Sequence, residues 1–272
     1  SDRLIPRMKT MNERYLRTAA QAARAAGDWI RDGFRDLATI EVESKGKNDF
    51  VTRVDREAEA AITEIILNEF PGHRILAEES GYTTAASDYL WVVDPLDGTT
   101  NFIHGLPHFA VSLALLENGK AIFGLIYDPL SHDRFHAGLG QGAFLNDRPI
   151  AVSPTAKLGA ALGATGFPFK APDQAAAYVK AFQSLLSSCK DMRRCGSAAL
   201  DLAYTACGRY DFFWEAHLLP WDFMAGKLLI SEAGGLSSDF AGNELAVRTG
   251  SVLAANKMLY PELMKVIGNY FK

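Results

Sequence analysis

A layered α/β fold is what the sequence predicts, and three observations predict it. Apolar residues near the N-terminus recur at helical spacing over a long stretch. Short apolar runs punctuated by Gly, Asn and Pro then read as strands through the middle of the chain. Beyond Pro154 helical and strand periodicities alternate again.

Taken in order, Leu16, Ala19, Ala20, Ala23, Ala26, Ile30 and Phe34 place an amphipathic helix over roughly Asn12 to Phe34. A second helix is expected from about Asp55 to Asn68. Val54, Ala58, Ala61, Ile62, Ile65 and Ile66 would face inward, and Pro71-Gly72 would stop it. Tyr89 to Val93 reads as a buried strand that delivers Asp94 at its carboxyl end, where ligand sites of α/β folds lie. Phe109 to Leu116 and Ala121 to Tyr127 form a hairpin across Asn118-Gly119, since Asn-Gly suits a tight turn. Short strands are expected around Arg134-Phe135-His136 and Ala143-Phe144-Leu145.

Past Pro154 a strand is expected near Leu158 to Ala164, and a helix near Gln174 to Ser187 with Asp173 as its N-cap. A helix near Ser197 to Cys207 and a strand near Asp211 to Glu215 come next. A helix from Asp222 to Ala233 ends at Gly234-Gly235, and strands near Leu236 and Val252 precede a short final helix. With neither repeats nor low-complexity linkers, residues 1–272 are read as one unit with a soft lobe boundary near Pro154.

The richest segment is Trp91-Val92-Val93-Asp94-Pro95-Leu96-Asp97-Gly98-Thr99-Thr100-Asn101-Phe102. Pro95 fixes φ and Gly98 admits conformations closed to other residues, so Asp94, the Leu96 carbonyl and Asp97 can converge on one hard cation. If the segment opened by Thr99 and Thr100 is helical, its unpaired N–H groups would attract an anion such as phosphate. The plainer reading is a surface turn capping a helix. Two more acidic clusters weigh against it: Glu78-Glu79 after Ile75-Leu76-Ala77, and Trp221-Asp222 far downstream.

These residues resemble the inositol monophosphatase family, within the wider superfamily of lithium-sensitive, magnesium-dependent phosphatases. Trp91 to Phe102 meets the pattern Trp-x-x-Asp-Pro-x-Asp-Gly-Thr-x-Asn-Phe, and Trp221 to Gly226 meets Trp-Asp-x-x-Ala-Gly. The resemblance runs over nearly the whole chain and implies a five-layer α-β-α-β-α sandwich and a homodimer. It implies a first magnesium among Glu78, Asp94, the Leu96 carbonyl and Thr99, and a second held by Asp94, Asp97 and Asp222. Asp55 and Thr99 would orient the attacking water. Glu215 would contact a substrate hydroxyl, and Gly196, Ser197 and Ala198 would open a helix against the substrate, with Gly98 in the phosphate turn. The loop Lys45-Gly46-Lys47-Asn48-Asp49 is one residue shorter than in animal members, which leaves open whether Lys45 or Lys47 nears the phosphate. Arg193-Arg194-Cys195 looks more like bacterial members.

Four carboxylates, Glu78, Asp94, Asp97 and Asp222, cannot share a cleft ionised unless cations intervene. Two divalent ions balance them, and a third, weaker magnesium would balance an arriving phosphate dianion, which predicts cooperative metal dependence. Ligands that are all oxygen favour magnesium, with manganese as a substitute, over zinc. The plainer reading of Asp55 is a helix N-cap.

At 272 residues, 48% hydrophobic and 22% charged, the chain can bury a sizeable core. A net charge of −4 argues against a general nucleic-acid binder. Cys189, Cys195 and Cys207 show no Cys-x-x-Cys spacing, so neither a disulfide framework nor a zinc site is expected, and a reducing cytoplasm is the simplest location. No long apolar run or charged leader calls for a membrane span or signal peptide. Gly138 to Gly142 is read as a glycine-rich hairpin rather than a dinucleotide fingerprint. His104, His108, His132 and His136 are read as surface residues.

The function expected is magnesium-dependent hydrolysis of myo-inositol monophosphates to inositol and phosphate, with a small phosphorylated polyol as substrate. Alternatives are histidinol phosphate, fructose 1,6-bisphosphate or a nucleotide 3′-phosphate, or a regulatory role as partner in a transcription or RNA complex.

Overall fold

The computed structural model describes residues 4–46, 49–83, 86–169, 171–248 and 250–271. The chain opens with α1 (Leu4–Arg35), then the hairpin β1 (Val42–Gly46) and β2 (Asp49–Thr52), then α2 (Arg53–Glu69). β3 (Arg74–Ala77), β4 (Gly81–Tyr82) and β5 (Tyr89–Asp97) lead into the single turn α3 (Thr99–Ile103). A meander follows, β6 (Ala110–Glu117), β7 (Lys120–Tyr127), β8 (Arg134–Gly138), β9 (Gly142–Leu145) and β10 (Arg148–Ile150). The second half is β11 (Leu162–Thr165), α4 (Ala175–Ser188), β12 (Asp191–Arg193) and α5 (Ala198–Ala206). It closes with β13 (Phe212–Leu218), α6 (Pro220–Glu232), β14 (Leu236–Ser238), β15 (Gly250–Ala255) and α7 (Tyr260–Gly268).

Two large sheets result. One has eight strands in the order β10-β9-β8-β7-β6-β5-β3-β4, the other five in the order β12-β11-β13-β15-β14, and β1-β2 stands apart. Position 154 falls between them, after β10 and before β11. Because strand side chains alternate between faces, each sheet feeds two cores. On β6, Val111, Leu113 and Leu115 pack with α1 and α2, whereas Ala110, Ala114 and Leu116 pack with α5 and α6. On β13, Phe213 joins the α5 and α6 layer, while Phe212 and Trp214 face α4 and α7. The outcome is the expected five-layer α-β-α-β-α sandwich, with α5 and α6 between the sheets.

Differences from the expected elements have local causes. α1 extends further toward the N-terminus than expected, reaching Leu4 among the described residues. The strand expected at Leu158 to Ala164 divides into a 3-10 turn, Leu158–Ala160, and β11. Asp173 is not the cap of α4: it lies inside a preceding 3-10 turn, and Gln174 occupies the cap position without a side-chain bond. β10 was not expected. Asn146 and Asp147 both adopt positive φ, 47° and 66°, and this two-residue turn pairs Leu145 with Arg148 on the sheet edge, where Pro149 is tolerated. β1, β2, β4 and β12 were also missed, the last two being two or three residues long. Gly138 pairs with Gly142 across the expected hairpin. His136 is not a surface residue but is 7% exposed, stacked on Phe144; His108 is half-buried.

Candidate active site

The site begins with a fault in a strand. Asp94 pairs with Ser112 and Asp97 with Ala110, so β5 spends one residue more than β6 over the same span. In a regular strand residues three apart point to opposite faces; this bulge at Pro95-Leu96 brings Asp94 and Asp97 to one side. The Leu96 N–H donates to Asp94 Oδ1 at 2.9 Å. Gly98 then turns the chain at φ 101°, where an added Cβ would also meet the His108 carbonyl at 3.0 Å. Thr99 follows, its hydroxyl within hydrogen-bond distance of the Leu96 carbonyl, 3.0 Å, and Asp55 Oδ1, 3.1 Å.

Asp55 is not the N-cap of α2. Thr52 is, and Asp55 completes a capping box by accepting from the Thr52 N–H (2.8 Å) and hydroxyl (2.6 Å) through Oδ2, which leaves Oδ1 for Thr99. The middle layer supplies the rest. Ser197 caps α5, and its hydroxyl donates to Asp97 Oδ2 at 2.5 Å beside the Ala199 N–H at 2.7 Å. Asp222, in the first turn of α6, accepts the Leu219 N–H at 2.7 Å. Glu59 on α2, 4% exposed, accepts the N–H groups of Glu79 and Ser80 at 2.8 and 2.9 Å, which fixes the loop carrying Glu78.

These elements enclose a cavity of about 460 Å³, lined by Glu78, Asp94, Leu96, Asp97, Gly98, Thr99, Gly196, Ala198, Glu215 and Asp222 and walled by Phe167, Phe169 and Arg194. Carboxylate oxygens of Asp94, Asp97 and Asp222 lie within 4.8 Å of one another. Burial, then the charges of Glu78, Asp97 and Asp222, push the Asp94 carboxyl well above the usual range. Burial, with Asp97 and Glu78, does the same to Asp222. Burial lifts Asp97 to about 6 against the pull of its Ser197 and Ala199 bonds, and Glu215 to about 8 against the pull of Arg194. Converging buried carboxylates that resist ionisation on their own are a candidate centre for a hard cation, and oxygen-only donors fit one.

The sequence profile described as the inositol monophosphatase family matches residues 11–271. The chain belongs to the inositol monophosphatase family. It is 48% identical to the Nus factor SuhB of Escherichia coli K12 over 89% of this chain and 91% of that protein. The fold is similar to the extragenic suppressor protein suhB of Bartonella henselae, with TM-score 0.90 and 38% identity over 93% of this chain and 98% of that one. It is likewise similar to the inositol monophosphatase of Anabaena, with TM-score 0.85 and 40% identity over 95% of this chain and 96% of that one.

Against this family frame, nearly every residue expected at the site meets the same cavity. Two do not line it: Asp55 reaches it through Thr99, and the Ser197 hydroxyl is taken by Asp97. The side chains of Lys45 and Lys47 fall outside the described residues. Glu59 was missed, although it stands four residues after Asp55 and so on the same helix face. The aromatic wall at Phe167 and Phe169 was also missed, being set by a loop with no periodic pattern. Among the described residues no helix is long and apolar enough to cross a membrane.

Proposed function

We propose that this chain is a magnesium-dependent phosphomonoesterase that hydrolyses myo-inositol monophosphates. The observation that carries the reading is the meeting of Asp94, Asp97 and Asp222 beside the Asp55–Thr99 pair, at one cavity of substrate size. Glu78, Asp94, the Leu96 carbonyl, Asp97 and Asp222 would hold two or three magnesium ions, or manganese in their place. When bound, such ions supply Lewis acidity toward phosphate oxygens and charge balance for the leaving alkoxide.

The chain's own residues do the remainder. With its proton directed to Asp55, the Thr99 oxygen is free to accept a hydrogen from a water in the cavity and aim it at phosphorus. Asp55, whose pKa burial raises, is a competent final acceptor for that proton. Glu215 takes substrate hydroxyls, and the Gly196 to Ala198 turn presents backbone to the same polyol. Phe167 and Phe169 limit water around it.

We take residues 1–272 to work as one unit, as a cytoplasmic homodimer. A second reading is favoured by the naming of relatives as Nus factors: the protein also serves as a regulatory partner in a transcription complex. The net charge of −4 opposes only general nucleic-acid binding. Phosphate release from inositol 1-phosphate, histidinol phosphate, fructose 1,6-bisphosphate and adenosine 3′,5′-bisphosphate, with magnesium titrated and lithium added, tests the first reading. Preference for inositol phosphate with lithium inhibition supports it; preference for another ester transfers the mechanism to that substrate. Absence of turnover, with an Asp97→Asn variant still rescuing a deletion strain, would leave the regulatory reading alone.

A further inference from the structure

Outside the lining of the acidic cavity stands a second set of ligand-type side chains, of different chemistry. We propose that His108 Nε2, Cys195 Sγ and Asp201 Oδ1 form a separate zinc-type site for one soft divalent ion. One ligand atom from each residue lies within 4.8 Å of the others, and none of these residues lines the carboxylate cavity.

Two buried atoms want a partner there. Asp201 is 1% exposed and its Oδ1 has no hydrogen-bond partner; His108 Nε2 is likewise buried and unpartnered. Such orphans are rare in folded proteins and call for an explanation. They stand 4.0 Å apart, too far for a direct hydrogen bond. Donors on a tetrahedral ion with bonds of about 2.0–2.2 Å stand roughly 3.3–3.6 Å apart, so a closure of about half an ångström from the observed 4.0 Å would seat one.

The backbone holds the ligands in place. One amide nitrogen, Asn101 Nδ2, donates both to the His108 carbonyl at 2.7 Å and to the Cys195 carbonyl at 2.9 Å, pinning the two segments together. Asp201 projects from the first turn of α5, its own N–H bonded to the Ser197 carbonyl at 3.0 Å. Cys195 Sγ touches the Tyr210 hydroxyl at 3.4 Å, a neighbour able to bond a coordinated thiolate.

The donor set selects the ion. Thiolate and imidazole favour zinc, copper or cobalt over magnesium. A divalent ion with one carboxylate and one thiolate is neutral overall, which removes the penalty of burying Asp201 charged. With three protein ligands, the fourth position is left to water or to Tyr210. Loading would stiffen the turn through Gly196 and Ser197, and with it the clamp on Asp97.

The test uses the full chain stripped by chelator, then titrated with Co²⁺ in excess Mg²⁺. One equivalent should bind with a near-ultraviolet thiolate-to-cobalt band, and Zn²⁺ should displace it. The band should vanish in Cys195→Ser, weaken at least about tenfold in affinity in His108→Gln, and persist in Cys189→Ser, Cys207→Ser and Asp222→Asn. X-ray absorption of the zinc-loaded native chain, which needs no variant to fold, should show one sulfur among nitrogen and oxygen neighbours. Absence of that sulfur, or a band that survives Cys195→Ser, would overturn the site and leave a bridging water to satisfy His108 and Asp201.

Discussion

Thr99 and Asp55, 44 residues apart in sequence, meet through a 3.1 Å hydrogen bond between the first turn of α3 and the first turn of α2. One carboxylate thus caps a helix with Oδ2 and serves the cavity with Oδ1. The two roles can be separated. Asp55→Asn keeps an acceptor for the cap but has no second oxygen for Thr99. Turnover should fall by about 10²–10⁴ while unfolding free energy drops by no more than about 1 kcal/mol and half-saturating magnesium stays the same. Unchanged turnover would remove Asp55 from the chemistry.

The buried carboxylates should make the metal-free protein less stable in base. Asp222 has a folded pKa raised by burial, then by Asp97 and Glu78. Its contribution is therefore complete below the unfolded value of 3.8 and is lost as pH rises through the raised folded value. Asp222→Asn removes that loss and still accepts the Leu219 N–H. In chelator near pH 8 the variant should melt higher by at least about 2–4 °C, the shift of 1 kcal/mol at this size, with no difference near pH 4. Magnesium should stabilise the native chain more than the variant, which keeps only the first of the two expected ion sites. A variant that melts lower in chelator would contradict the repulsion argument.

Glu215 is held against Gly166, where an added Cβ would sit 2.0 Å from the carboxyl carbon. Gly166→Ala must therefore move the free end of Glu215, which a flexible side chain does at small cost. We expect kcat/KM for the polyol phosphate to fall by about tenfold or more, mostly through KM, with metal affinity and melting temperature nearly unchanged. Equal kinetics in the two proteins would exclude Glu215 from substrate binding.

His136 gives a test on the acid side. Burial, aided by Arg134, lowers its pKa from 6.5 to about 4. Above pH 6.5 the imidazole is neutral in both states, so its contribution is intact. As pH falls from there toward 4, the unfolded chain binds a proton that the folded chain refuses, and stability declines by up to about 1.4 kcal/mol per pH unit. Urea midpoints taken near pH 7.5 and near pH 5 should separate more for the native chain than for His136→Gln; parallel shifts would show that His136 does not titrate this way.

Much of the fold was legible in local pattern. α2, α5 and α6, the β6–β7 hairpin and the β8–β9 hairpin follow from periodicity and from turn residues such as Asn118-Gly119, whose φ values of 50° and 80° are those the turn demands. β10 and β12 were not legible, because strands of three residues carry too few side chains to show a period. The burial of His136 was hidden for another reason: it depends on the pairing of β8 with β9, which sets Phe144 opposite His136 and stacks the two rings.

By itself, the sequence determined the acidic motifs, their family and the elements that carry them, since each depends on residues close together in the chain. Tertiary structure alone decided the rest. The β5 bulge that turns Asp94 and Asp97 to one side depends on pairing with β6. The approach of Asp55 to Thr99, of Ser197 to Asp97 and of Glu59 to the Glu78 loop depends on packing α2 and α5 against the large sheet. The grouping of His108, Cys195 and Asp201 is of the same kind: cysteine spacing alone predicts no zinc site, because His108 comes from a distant segment that the Asn101 amide ties to the stretch carrying Cys195 and Asp201.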